Sequence, residues 1–226
     1  MSDITVTGMV LSSMSVGEYD KRLELLTAEA GRISAFARGA KRPSSDLVSA
    51  GRAFAFGKFT LFQGKSSYTV KSAKISEYFT DLAQDVVLTY YGFYFLEVAR
   101  YFSRENVAAP EQLKLNYFAL KALLKESLDN RLVRAVFELK SLCLNGLLPS
   151  EEWLGTHYKQ KTGHEPDQSS VYTLWFIRTT PVEKLFTFKL TEKVLEEVMF
   201  IAEEQMGSNC DKPFKSLQLL ENLLES

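Results

Sequence analysis

Hydrophobic and polar positions along the chain change period near residue 80. Before it, apolar residues recur in short runs. Ile4–Met14, Lys21–Ala28, Arg32–Arg38, Arg52–Phe62 and Ser67–Ile75 each read as strands, from alternation or from β-branched and aromatic content. Seven of the twelve glycines fall within the first 64 residues and punctuate these runs, and Glu29-Ala30-Gly31 reads as a tight connection. Five short strands with glycine at the corners predict a small Greek-key barrel of the OB type. An SH3-like barrel gives similar signals, and the pattern leaves both open.

Beyond Thr80 the pattern is helical. Asp81-Leu82-Ala83-Gln84 reads as a capping box opening a helix to about Arg104, with apolar residues from Val86 to Val98 around most of its circumference, so it is expected to be buried. Pro110 suits the first position of a second helix, to about Ser127. Asp129 can cap a third, ending at Leu144 or Asn145 with Gly146 beyond. Residues 147–170, with Pro149, Gly155, Gly163 and Pro166, read as loop, and Val171–Arg178 as either strand or buried helix. Thr191 can cap a helix to Met206, and Phe214–Leu224 forms the last. The expected class is α+β: an N-terminal OB-like five-stranded β-barrel (residues 1–80) followed by an all-helical domain (residues 81–226).

Composition excludes several classes. With 46% hydrophobic and 24% charged residues the chain is globular. The longest apolar stretch, Val86–Leu96, is too short to span a bilayer, and the N-terminus lacks a signal-peptide core. A soluble, cytoplasmic protein with no membrane partner is expected. Cys143 and Cys210 are isolated, which makes neither a disulfide framework nor a four-ligand metal site; Cys143 reads as core. His157 and His164 fall in the loop-like segment, and no Gly-rich phosphate loop occurs. The pairs Glu151-Glu152, Glu196-Glu197 and Glu203-Glu204 read as solvent-facing. No enzyme activity and no cofactor are expected.

Charge changes the picture. The net charge is −1, yet residues 1–80 hold 11 Lys/Arg against 7 Asp/Glu, and the rest 16 against 21. From Arg32 to Lys74 there are nine basic residues and one acid, Asp46. A solvated face mixes both signs, so this stretch reads as a polyanion-binding surface. In the third strand Arg32, Ser34, Phe36 and Arg38 share one face, and Lys41 and Arg42 continue the charge into a loop. Cations neutralise phosphates, and an exposed ring such as Phe36 stacks on an unpaired base. Arg52, Phe54, Phe56, Lys58 and Phe62 are expected on one face of the fourth strand, and Lys65, Lys71 and Lys74 add charge nearby. Phe54, Phe56 and Phe59 are assigned to the barrel core.

The segments Glu18-Tyr19-Asp20-Lys21, Leu25-Leu26-Thr27, Glu29-x-Gly31-Arg32 and Ala37-Arg38-Gly39-Ala40-Lys41 strongly resemble the bacterial DNA repair family RecO, most specifically in LLTAEAGRISAFARGAKRPSS. The resemblance extends more loosely to the helix Glu138–Leu148 and to Phe214-Lys215-Ser216-Leu217, and is poor over residues 150–190. It implies an N-terminal OB fold and a recombination mediator. Such a protein binds single- and double-stranded DNA and anneals complementary strands. It works with RecR, in some bacteria RecF, to load RecA onto strands coated by single-stranded-DNA-binding protein. In some members the helical domain binds the acidic C-terminal tail of that coating protein. Many relatives carry a four-cysteine zinc site that this chain lacks, so packing through Trp153, Trp175, Phe176 and Phe186 is expected to hold residues 150–190. For the tail, Arg131 and Arg134, or Lys121 and Lys125 on one helical face, are the candidates. Two other readings remain open: an OB-fold RNA-binding protein, and a protein-interaction scaffold without nucleic-acid activity.

Overall fold

The computed structural model describes residues 2–65 and 67–225. Five strands, β1 (Ser2–Val16), β2 (Asp20–Thr27), β3 (Gly31–Ala37), β4 (Phe56–Gln63) and β5 (Tyr68–Glu77), close into a barrel in the order β1-β2-β3-β5-β4. A one-turn helix α1 (Leu47–Ala50) links β3 to β4. The long β1 pairs antiparallel with both β2 and β4, and a bulge between Val10 and Ser12 bends it so that one strand serves both neighbours. β3 and β5 run parallel where the barrel closes. This is the OB arrangement.

Alternation sorts the side chains. Val6, Val10, Leu23, Leu25, Ile33, Ala35, Phe59, Leu61 and Val70 point inward and are buried. Phe59 is wholly buried, a contribution of about 1.5–3 kcal/mol. The fourth strand begins later than expected. Phe54 is buried as predicted, but in a turn with φ 70°, and Phe56 points outward and is half-buried, because the strand starts at Phe56 and its core positions are Phe59 and Leu61. Arg52 therefore lies in the preceding turn, not on a strand face.

The chain forms two compact units: Met1–Gln84 with Ala99–Leu113, and Asp85–Val98 with Lys114–Ser226. In the first, residues 104–109 seal the β2–β3 turn: Arg32 N–H donates to Arg104 O, Asn106 N–H to Ala30 O and Ala109 N–H to Ala28 O, at 3.0–3.1 Å. Gly31 has φ 63°, and a Cβ there would lie 2.2 Å from the carbonyl oxygens of Arg104 and Val107, so only glycine fits.

Helices α2 (Val86–Phe102), α3 (Pro110–Leu123), α4 (Asn130–Leu144), α5 (Glu151–Thr162), α6 (Gln168–Thr179), α7 (Glu192–Asn209) and α8 (Lys215–Leu224) follow. Asp81 does not open α2: Thr80–Gln84 is a 3₁₀ turn, and Asp85 caps α2 by accepting from the N–H groups of Val87 and Leu88. Asp129 caps α4 through Arg131 N–H, as expected. The segment expected to be loop is largely helical. Ser150 caps α5 and Gly163 ends it in the left-handed conformation, while Gly155 and Pro166 interrupt nothing. Residues 171–178 lie within the helix α6. Among the described residues no helix is long and apolar enough to cross a membrane.

In the second unit α4 packs against α6 and α7, and is buried from Leu132 to Leu142. It carries charge inside. Arg134 Nε donates to Glu138 Oε1 at 2.8 Å, and Tyr94 Oη donates to the same oxygen at 2.5 Å. Both ends of α6 are held by buried charges. Glu197, expected on the surface, is 5% exposed and accepts from Asp167 N–H and Ser170 Oγ at the N-terminal end, each at 2.7 Å. Lys140 Nζ donates to the carbonyls of Ile177, Arg178 and Thr180 at the other. Each charge has the sign that the helix dipole favours and satisfies groups that the helix leaves unpaired. These clamps, with buried Leu154, Tyr158, Leu174, Ile177 and Leu185, hold residues 150–190. Of the four aromatics expected to do so, Phe186 is buried and Phe176 half-buried, while Trp153 and Trp175 are each 48% exposed, Trp153 stacked on His157 and Trp175 beside the exposed Tyr172. Cys143 is half-buried rather than core.

Candidate nucleic-acid interface

The outer wall of the barrel contains one continuous row. In register, Met14 lies opposite Arg22, Arg22 opposite Phe36, Phe36 opposite Thr69, and Thr69 opposite Phe62. All five point away from the core. Phe36 and Phe62 are half-buried and sit one strand apart on either side of Thr69, about 10 Å between backbones. Arg22 is exposed, with Nε donating to Ser34 Oγ at 2.7 Å, and Lys71 Nζ lies 5.5 Å from the centre of the Phe62 ring. Two partly exposed rings with cations beside them make a stacking platform for unpaired bases.

Above this row the β1–β2 turn and the loop after β3 meet. Gly39 N–H donates to Asp20 Oδ1 at 2.7 Å, Lys41 N–H to Tyr19 O at 2.9 Å, and the Arg42 guanidinium covers the Tyr19 ring at 4.7 Å. Lys21 Nζ donates to Gly51 O at 2.8 Å. Its pKa is lowered by burial and then by the charges of Arg52 and Lys41, so three cations converge there. In OB folds this end and the β2–β3 face are where oligonucleotides bind.

Not every predicted residue is available. Arg32 is on the predicted face, but its Nη1 pairs with Glu24 at 2.8 Å, and Arg100 pairs with the same carboxylate at 2.9 Å. Glu24 lies outside the basic stretch of sequence, and antiparallel register carries it diagonally beside Arg32. Lys71 is likewise paired with Asp3, at 2.7 Å. Arg38, Lys41, Arg42 and Arg52 are exposed, as is Lys65 in the β4–β5 turn, and Lys74 lies on another part of the wall. Reading the sequence missed Arg22, Lys21 and Tyr19, and placed Phe62 beside Lys58 on the outward face of β4, where it lies; the two-residue period of β2 was the signal available for Arg22.

The partner-binding candidates do not form one site. α3 ends at Leu123, so Lys125 lies in the following turn and does not share a helical face with Lys121, which sits 5.9 Å from the Tyr117 ring. Arg131 is held by Asp129 and Glu192, each at 2.7 Å. Arg134 is buried and lines a pocket of about 520 Å³ whose walls include Met206, Phe214 and Leu217. Glu138, Glu203, Asp211 and Glu221 surround it against Arg134 and Lys212, so the pocket is acidic overall. His157 is on α5, stacked on Trp153 and 3.4 Å from Glu204, rather than in a loop. Among the described residues no group of three or more His, Cys, Asp or Glu can hold a metal ion.

The barrel and the first helices match known families. Residues 1–79 match the family Recombination protein O N terminal, and residues 83–153 match Recombination protein O C terminal. The chain belongs to the RecO family. The DNA repair protein RecO of Acetivibrio thermocellus is 25% identical over 249 residues, covering 99% of this chain and 98% of the relative. That of Clostridium novyi is 25% identical over 247 residues, covering 100% and 96%. That of Alkaliphilus metalliredigens is 33% identical over 146 residues, covering 65% and 59%. Full-length matches extend through residues 150–190, where this chain has the Glu197 and Lys140 clamps.

Proposed function

We propose that this chain is a DNA repair and recombination mediator that binds DNA through the outer wall of its barrel and anneals complementary single strands. The observation that carries the reading is the Arg22-Phe36-Thr69-Phe62 row, with Arg38, Lys41 and Arg42 beside it. Rings take bases without sequence preference, and cations screen the repulsion between backbones so that two strands approach and pair. No group acts as nucleophile or general base in this scheme, and the chain works by binding alone. The family resemblance adds the partners: RecR, single-stranded-DNA-binding protein through its C-terminal tail, and through them RecA. Tail binding is supported by the apolar wall of the Arg134 pocket, and the four carboxylates around it count against that location.

The test is equilibrium binding of single-stranded DNA across a salt series. Replacing Arg38, Lys41 and Arg42 together by Ala should flatten the log–log salt slope by about 2, for three lost phosphate contacts. An unchanged slope overturns the assignment of this face. Matched DNA and RNA oligonucleotides separate the RNA-binding reading, since an RNA specialist gains affinity from the 2′-hydroxyl. No binding of either at micromolar protein favours the scaffold.

A further inference from the structure

The wall formed by β1, β4 and β5 has a chemistry of its own. Lys58 and Lys74 are directly opposite one another across β4 and β5, and both point outward because their neighbours Phe59 and Ala73 point in. Like charges at opposed positions destabilise a sheet. Here no ion pair relieves the repulsion: among the described residues neither lysine is paired with a carboxylate, and both are exposed. The nearby acids have other hydrogen-bond or ion-pair partners. Asp3 holds Lys71, Glu29 accepts from the backbone N–H of Thr7, which lies opposite Lys58 in register, and Glu77 accepts from those of Tyr78 and Phe79. Around the lysines lie Thr5, Thr60 and Ser72, which are neutral hydroxyl donors.

The backbone builds this pairing. A bulge between Phe56 and Gly57 sets the register, and a Cβ on Gly57 would lie 2.2 Å from Lys74 O, so glycine lets β5 approach closely enough to present Lys74 beside Lys58. Between Phe56 and Phe62 the outward positions of β4 are Lys58 and Thr60, with no ring to stack on a base. Lys58 is four residues from Phe62, about 13 Å along the strand, so a nucleic acid seated on the aromatic row leaves the lysines uncovered.

We infer that Lys58 and Lys74 form a second nucleic-acid site on the barrel, a phosphate clasp that holds the backbone of a second strand while the aromatic row holds the bases of the first. Ammonium groups on directly opposed residues bracket one phosphate, which relieves their mutual repulsion, and the hydroxyls beside them donate to its free oxygens. This rests on the reading of the barrel as a DNA-binding module and extends it: two separate sites on one wall bring two strands together.

The experiment uses the full chain carrying Lys74→Glu, which places a carboxylate opposite Lys58 and replaces a repulsive cross-strand pair with an attractive one. Its melting temperature is expected to equal or exceed that of the wild type. Affinity for a short single strand should stay within about twofold while annealing of complementary strands slows roughly tenfold, and the log–log salt slope of annealing should flatten by about 0.7, for the one phosphate that the pair brackets. Lys58→Gln with Lys74→Gln should slow annealing in the same way, and decides the matter if Lys74→Glu melts early. Annealing at the wild-type rate by a folded variant overturns the clasp and leaves the aromatic row standing. Equal loss of single-strand affinity and of annealing overturns it too, by showing one shared site. Wild-type protein that neither binds nor anneals DNA overturns both readings.

Discussion

The barrel and the helical unit treat charge in opposite ways. In the barrel every inward side chain of the core cluster is apolar, and the cations stand on the outer wall. In the helical unit Arg134, Glu138, Lys140 and Glu197 are all buried. The cause lies in the backbone. A closed sheet pairs its own N–H and C=O groups, so its core needs no polar side chain. Helices leave four donors and four acceptors unpaired at their ends, and where those ends are buried something must meet them. Glu197 and Lys140 do so for α6. The buried cations of the helical unit have their partners inside the protein, Arg134 a carboxylate and Lys140 three carbonyls, whereas most of the barrel's described cations stand on the surface in no ion pair.

Removing a partner from the buried network should give the largest effect. Glu138→Ala leaves the Tyr94 hydroxyl without its acceptor and Arg134 with only Glu203 and Glu221, at 3.2 and 3.9 Å, a loss of about 2–4 kcal/mol for two buried hydrogen bonds to a charged group. Urea denaturation checks this, and a fall below about 1 kcal/mol would show that the network is not structural. Lys140→Met, which keeps the aliphatic stem but frees three carbonyls at the end of α6, should cost about 1–3 kcal/mol. Neither change should touch the phosphate contacts proposed for the barrel, so the salt slope of DNA binding by the folded variants is expected to stay as in the wild type.

Much of this was legible in the sequence and some was not. The five strands follow from alternation, and the inward and outward faces of β3 from its strict period of two. Pro110, Asp129 and Gly146 marked helix boundaries because caps act locally. The helix α5 was missed although Ser150 and Gly163 flank it, since Gly155, Pro149 and Pro166 suggested a broken chain. What pattern reading could not supply was pairing across strands and between helices. Glu24 neutralises Arg32 and Asp3 neutralises Lys71 through register, so a window of sequence with one acid overstated the free charge. Glu197 looked like half of a surface pair until α6 was seen to end on it.

Acid should separate the two units. Hydrogen bonds from Arg131 hold the carboxyls of Asp129 and Glu192 below their ordinary values, and one from Lys161 does the same for Glu204. A depressed carboxyl contributes stability that is present above its unfolded pKa and lost as pH falls through the folded one. The loss therefore begins below the ordinary values of 3.8 for Asp129 and 4.5 for the two glutamates. Glu203, raised chiefly by burial, works the other way and offsets part of it. Circular dichroism should show helical signal falling before barrel structure as pH drops below that range. Loss of both together would mean that the units unfold as one.

The sharpest test of the outer wall is also the smallest in effect. Arg32 and Arg38 share a face of β3 and look equivalent in the sequence, yet only Arg32 faces an acid. Glu24, 15% exposed, already holds both Arg32 and Arg100, and Arg32 Nε is buried without a hydrogen-bond partner. Arg32→Gln should change stability by no more than about 1 kcal/mol, because the pair is partly exposed and Arg100 remains to balance Glu24. It should also leave the salt slope of single-strand binding unchanged, whereas Arg38→Gln should flatten it by about 0.7, one phosphate contact. Equal slopes for the two variants would mean that DNA displaces Glu24 from Arg32. The carboxylate would then be a gate on this face rather than a fixed neutraliser, and removing it with Glu24→Gln should strengthen DNA binding.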